Sequence, residues 1–207
     1  GPRGGGAAGR GRVWAMSGGI APRRAAEDMT RHLVQLGHVR IGFITGNPNQ
    51  TASAERLEGY RTALREAGLA LADELVAEGM FTYRSGLDAA EQLLSLESPP
   101  TAIFAANDDM AAATVAIAHR QGLDVPGDLT VCGFDDTALA TTIWPELTTI
   151  RQPVLEMSRQ AVELLVRQIR GSKANSADCP HVLAEYELIR RQSDAAPRRR
   201  PTARTLR

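Results

Sequence analysis

The sequence predicts an α/β fold built on a doubly wound parallel sheet, and three observations carry that prediction. Short apolar runs at 41–45, 101–106 and 129–134 leave no room for helices and are bounded by proline, glycine or polar residues. Stretches of roughly 10–14 residues with helical spacing separate them, an alternation that implies right-handed βαβ units and a sheet covered on both faces. Two of the runs end in the same chemistry, Ala106-Asn107-Asp108 and Phe134-Asp135-Asp136. That edge, the carboxyl end of the strands, is where open α/β sheets bind ligands.

The elements follow in order. Residues 1–19, rich in glycine and arginine without a hydrophobic period, are expected to be disordered, as is the arginine-rich tail 193–207. The folded domain is expected over 20–192. Ala25, Ala26, Met29, Leu33, Val34 and Leu36 fall near a 3.6 period and predict a helix over 24–36, stopped by Gly37. A strand at 41–45 and a turn at 46–51 precede a helix over 54–67, with Thr51 or Ser53 as its cap and Gly68 as its stop. The beat repeats: strand 75–77, loop 79–85, helix 86–96, strand 101–106, helix 110–121 capped by Asp108 or Asp109, strand 129–134. The pattern then loosens through Trp144-Pro145 to an extended run at 147–150, a helix over 154–170 and a last strand over 182–189.

At 207 residues and 43% hydrophobic, the chain can bury one good core. Its net charge of zero hides an asymmetry. Half of the 24 basic residues, but only one of the 24 acids, lie in 1–24 and 190–207. The middle is therefore acidic and offers no basic face to a phosphate backbone. Cys132 and Cys179 make neither a metal spacing nor a disulfide framework, and a reducing compartment is the simpler expectation. No apolar run is long enough to span a membrane and no export signal is visible, so a cytoplasmic location is expected.

The two polar strand ends lie side by side in a parallel sheet. A carboxylate accepts hydrogen bonds from neighbouring hydroxyls, an amide donates and accepts, and a guanidinium offers planar paired donors; together these match a polyol or sugar. Arg56, on the first turn of the helix after 41–45, supplies the guanidinium at the same edge. Phe81, in the loop after the second strand, offers a flat apolar wall. The bland readings are that Asp108 and Asp136 are caps, that Arg56 pairs with Glu55 or Glu58 in water, and that Phe81 simply packs. His32, His38, His119 and His181 share no ligand spacing and have no obvious carboxylate or cysteine partner, so neither a metal nor a base role is expected of them; no cofactor is expected. Catalytic signatures are missing too: no G-x-S-x-G elbow, no P-loop and no G-x-G-x-x-G.

These residues resemble a family. His32-Leu33-Val34-Gln35-Leu36-Gly37-His38-Val39-Arg40-Ile41, Arg56-Leu57-Glu58-Gly59-Tyr60, Ile103-Phe104-Ala105-Ala106-Asn107-Asp108 and Gly133-Phe134-Asp135-Asp136 stand in order, followed by Pro145-Glu146-Leu147-Thr148-Thr149-Ile150-Arg151-Gln152-Pro153. In that order, over roughly 20–192, they resemble the sensing domain of LacI/GalR-type bacterial transcription regulators, which share the periplasmic-binding-protein fold. The resemblance implies a Rossmann-like lobe in which Arg56, Asn107 and Asp135 contact a small sugar or related effector and Phe81 stacks on it. It also implies a homodimer, with the small apolar face of 111–118 turned to the partner. Operator DNA is bound in such proteins by a helix-turn-helix, which this chain lacks; the expectation is a truncated regulator, mostly the C-terminal lobe. Helix 154–170 would belong to the other lobe, leaving Leu155, Val162 and Leu165 without their normal partners and only half of the ligand cleft in place.

The function expected is therefore effector sensing in a repressor, not catalysis. A sugar-binding protein of a transport system shares the fold and is the first alternative. A metal-dependent sugar or phosphate enzyme using the paired aspartates is the second.

Overall fold

The computed structural model describes residues 10–15, 20–152, 162–163, 165–166, 169 and 182–198. Its centre is a four-stranded parallel sheet in the order β3-β2-β4-β5, made of Ile41–Thr45 (β2), Val76–Glu78 (β3), Ala102–Ala105 (β4) and Thr130–Cys132 (β5). The helices are Ile20–Gln35 (α1), Thr51–Glu66 (α2), Tyr83–Leu94 (α3), Asp108–Arg120 (α4) and the short Leu139–Thr142 (α5). Strands Arg10–Ala15 (β1), Thr149–Arg151 (β6) and Val182–Ile189 (β7) form a second, antiparallel sheet in the order β1-β7-β6. Parallel bridges from Thr148 to Cys132 and from Arg151 to Asp135 tie β6 to the β5 edge.

β2 and β4 read as unbroken apolar runs because both faces are covered, and four of the five β2 residues and all of β4 are buried. The chain leaves β2 toward β3 on one side, then crosses back to β4 and β5 on the other. With right-handed crossovers this reversal puts α2 on one face and α3 and α4 on the opposite one. The helix contacts agree, α1 packing on α2 and α3 on α4. The reversal falls between β2 and β4, and beyond the carboxyl ends of strands at such a switch point is where open α/β sheets bind ligands.

Aromatic side chains cross the α2 face of the sheet. Phe43 stacks on Tyr60 at 4.9 Å and meets its register partner Phe104 edge-on at 5.3 Å; Phe104 lies 6.5 Å from Phe134. Such pairs add about 0.5–1.5 kcal/mol each beyond area burial. The buried Tyr60 hydroxyl donates to the Ile41 carbonyl at 2.6 Å, and burial pushes its phenol well above the usual value. Helix α2 ends where Gly68 takes φ +70°, its N–H donating to Arg65 and that of Leu69 to Leu64.

Several expectations change. Residues 10–15, expected in a disordered tail, form β1 on β7. The C-terminal segment is ordered beyond 192: Ser193 is buried, and the Val131 N–H donates to its carbonyl at 3.0 Å, so 193–195 runs along β5 as an extra edge. Asp194 is buried beside His32 (2.7 Å), Thr148 (2.5 Å) and Arg190 (2.9 Å), which hold its carboxyl below the usual range. His32 thus has the carboxylate partner that sequence proximity did not reveal, 162 positions away. Helix α3 begins at Tyr83, three residues before the expected start, and α5 occupies a stretch read as loop. The Ala-rich face of α4 is buried within this chain, Ala111, Ala113 and Ala118 at 0% exposure, and not presented to a partner. Most of the expected 154–170 helix, Leu155 included, lies outside the described residues; Val162 and Leu165 are helical and exposed, as expected, and so are Val166 and Ile169. Cys132 is buried with a free thiol, while Cys179 lies outside the described residues.

His38 sets a pH dependence. Its Nε2–H donates to the Ala195 carbonyl at 2.7 Å and its Nδ1 lies 2.7 Å from the Thr101 hydroxyl, which donates to the neutral ring. Burial lowers its pKa below 6.5, so below about pH 6.5 the unfolded chain binds a proton that the folded chain resists. Relative to His38→Gln, the wild type should lose stability as pH falls from 7.5 to 5, measured by urea unfolding at each pH; a parallel pair of curves would contradict this.

Candidate functional site

Four loops meet at the carboxyl edge of the sheet: the one after β2 with Gly46, the one after β3 with Phe81, the β4–α4 junction with Asn107, and the one after β5 with Asp135. Arg56 enters from the second turn of α2. Its residue is only 7% exposed, and its carboxylate partner Asp135 is more open to water. One terminal nitrogen donates to the Ala106 carbonyl, and the other lies 3.3 Å from Asp135 Oδ1. The guanidinium sits 3.9 Å over the Phe134 ring and 5.4 Å from the Phe81 ring. Cation–π contact of this kind contributes about 0.5–2 kcal/mol, more where water is excluded. Arg56 Nε is buried and has no hydrogen-bond partner. Burial disfavours the Arg56 charge, while Asp135 and Asp108 favour it.

Asp135 holds the opposite charge in an unusual backbone. It and Asp136 take φ +105° and +54° in succession, conformations that cost about 1–3 kcal/mol each and persist only where neighbours enforce them. The enforcement is visible. The Asp135 N–H donates to the Ile150 carbonyl at 2.8 Å. Asp136 accepts from Arg151 Nε at 2.7 Å and from Arg191 at 2.6 Å, which hold its carboxyl below the usual range. The adjacent aspartates therefore face different ways, Asp135 to the sheet edge and Asp136 to strands β6 and β7. Desolvation raises the Asp135 carboxyl to about 6 against the opposing pull of Arg56, with Asp108 and Asp109 adding to the rise.

Asn107, not Asp108 or Asp109, caps α4: its Oδ1 accepts from the Met110 N–H at 3.0 Å, and its Nδ2 donates to the Phe81 carbonyl at 2.8 Å. One amide hydrogen and one oxygen lone pair stay available at the edge. Asp108, expected as the cap, is fully buried. It accepts from the Thr137 N–H (2.7 Å), the Thr137 hydroxyl (3.2 Å) and the Thr149 hydroxyl (2.7 Å), so it ties α4 to the loop after β5. Space for it exists because residue 133 is glycine; a Cβ there would lie 2.3 Å from Asp108 Oδ1.

The structure thus brings the four sequence-predicted residues into one connected set. Arg56 touches Asp135 and Phe81, Phe81 is bonded to Asn107, and Arg56 is anchored on the residue before Asn107. Arg56 does not pair with Glu55 or Glu58. Sequence reasoning missed Phe134, the platform beneath Arg56, and Gly46, which the Phe81 ring covers. The signal for Phe134 was present, an aromatic immediately before the sheet-edge aspartate. Among the described residues no cluster of three or more His, Cys, Asp or Glu could hold a metal, and no helix is long and apolar enough to cross a membrane.

A parallel sheet with a direction reversal, and a charged and aromatic edge at its carboxyl side, define one lobe of a periplasmic-binding-protein-like domain. The chain belongs to the periplasmic binding protein-like domain family, whose model matches residues 30–193. It is 42% identical over 172 residues to the HTH-type transcriptional repressor CytR of Escherichia coli K12, covering 83% of this chain and 50% of that protein. The chain spans about half the length of the curated relatives it matches. Among solved structures, a sugar-binding transcriptional regulator of the LacI family from Escherichia coli, complexed with phosphate, superposes with TM-score 0.79 at 35% identity, covering 85% of this chain and 62% of that one. The complex of the transcriptional regulator CelR with cellobiose superposes with TM-score 0.76 at 36% identity, covering 84% and 52%.

Two substitutions and one titration test the site. Asp108→Ala leaves two hydroxyls and an N–H without their acceptor and should cost about 2 kcal/mol in urea unfolding. Because the folded Asp135 carboxyl titrates near 6 against 3.8 in an ordinary setting, its protonated form is favoured by folding. Asp135→Asn should therefore gain stability relative to wild type as pH rises from 4 to 8, and carboxyl NMR titration should place the wild-type midpoint near 6.

Proposed function

We propose that this chain is the effector-sensing portion of a LacI/GalR-type transcription repressor, taking a small sugar or related hydroxylated metabolite at the carboxyl edge of the sheet. The observation that carries the reading is Arg56, a guanidinium held under desolvation with one buried, unpartnered N–H, paired to a carboxylate and flanked by two aromatic rings. Neighbouring ligand hydroxyls accept from a guanidinium, donate to Asp135, and exchange hydrogen bonds with the free half of the Asn107 amide. Phe81 supplies the apolar wall for a sugar ring. The relatives' names as regulators support this class over a transport component. The engagement of Asp108 by threonines and of Asp136 by arginines gives the paired aspartates other work than holding a cation.

In the whole regulator, effector binding would shift the balance between two arrangements of the lobes, and a DNA-binding segment outside this chain would read the operator as part of a homodimer. Such a protein works in the cytoplasm, without a cofactor and without catalysis.

A chimera tests the reading: residues 30–193 replace the matching part of Escherichia coli CytR, and a reporter is scored against mono- and disaccharides, cellobiose included. A response to one member, lost by at least about 30-fold in effector sensitivity with Arg56→Ala and with Asp135→Ala, is expected. Metal-dependent turnover of phosphosugars by the chain would overturn it.

A further inference from the structure

Phe81 stands in a backbone conformation that a bulky side chain rarely adopts, φ +64°. Two residues from two other loops hold it there. The Asn107 amide donates to the Phe81 carbonyl at 2.8 Å while its oxygen caps α4. Gly46 lies directly beneath the ring: a Cβ at 46 would sit 2.0 Å from Phe81 Cζ and 2.3 Å from both Cε atoms. Gly46 does not itself have a left-handed φ, so glycine is required there for space and not for backbone freedom. With the carbonyl fixed by Asn107 and the ring seated on Gly46, the aromatic face stands 5.4 Å from the Arg56 guanidinium.

We infer that Gly46 and Asn107 are positioning residues of the site, holding the Phe81 ring beside Arg56 and so setting the width of the slot that accepts a ring-shaped effector. This rests on the reading of Phe81 as the effector-stacking wall. Asn107 thereby has two separable tasks. Its oxygen caps α4, a task that any good N-cap side chain performs; its nitrogen fixes Phe81, a task that an ionised aspartate, isosteric with asparagine but without a donor, cannot perform.

Solution NMR of the effector-free chain separates the tasks. In the wild type the Phe81 ring current displaces the Gly46 proton resonances upfield, and Phe81→Leu gives the zero reference. Asn107→Asp at neutral pH keeps the cap, so its urea midpoint stays above that of Asn107→Ala, but at least half of the Gly46 displacement is lost. Gly46→Ala raises the unfolding equilibrium constant about tenfold in the wild-type background, and less than about threefold when combined with Phe81→Ala. Full retention of the Gly46 displacement in Asn107→Asp overturns the inference. So does an equal cost of Gly46→Ala in both backgrounds. If Gly46→Ala does not fold, the Asn107→Asp spectrum decides. Every readout is taken without effector, so a chimera that ignores sugars while Phe81 is correctly seated counts against the functional reading and not against this one.

Discussion

Placing the Arg56 guanidinium inside the sheet edge imposes requirements on every loop around it. A buried cation needs a counter-charge, hydrogen-bond acceptors and polarisable neighbours, or its desolvation costs several kcal/mol. Asp135 provides the charge, Ala106 the carbonyl, and Phe134 and Phe81 the ring faces. None of the three backbones that deliver these groups is free to relax. Ala106 continues β4 through its N–H to Ile44, Asp135 is bonded to Ile150, and Phe81 is held by Asn107. The strained φ values at Phe81, Asp135 and Asp136 lie in the loops that converge on this cation, where the surroundings over-determine the backbone.

The Asp135-Asp136 pair connects that site to the strands that run out of the lobe. Asp135 lies against the cation at the sheet edge, and Asp136, one residue on, holds Arg151 at the end of β6 and Arg191 just beyond β7. Arg151 also lies 3.9 Å from Glu187. A change at the Asp135 carboxylate therefore has a short covalent and electrostatic path to the two strands that bracket residues 153–181. The second tie, Asp108 between α4, Thr137 and Thr149, fixes the same loop from the other side.

Much of this was legible in the chain itself. The alternation of apolar runs and helical stretches gave the parallel sheet, and the polar residues closing strands 4 and 5 gave the polar edge, because strand direction and crossover handedness leave few arrangements open. That Arg56, Asn107, Asp135 and Phe81 would lie together at that edge could be read for the same reason. Assignments that depended on choosing between neighbours were less legible. Asn107 and Asp108 are both good caps, and only the position of Thr137 and Thr149 gives Asp108 a better use. The order of 10–15 and of 193–198 was hidden because arginine- and glycine-rich segments look unstructured until a strand edge offers them hydrogen bonds.

The sequence by itself determined the fold class, the order of the elements and the chemistry gathered at one edge, since periodicity, turn residues and strand ends are local properties. The tertiary structure alone decided which side chain does what there. It paired Arg56 with Asp135 across 79 positions, His32 with Asp194 across 162, and it seated Phe81 on Gly46. Those pairings depend on which loops the sheet brings within a few ångströms, and no local pattern encodes that distance.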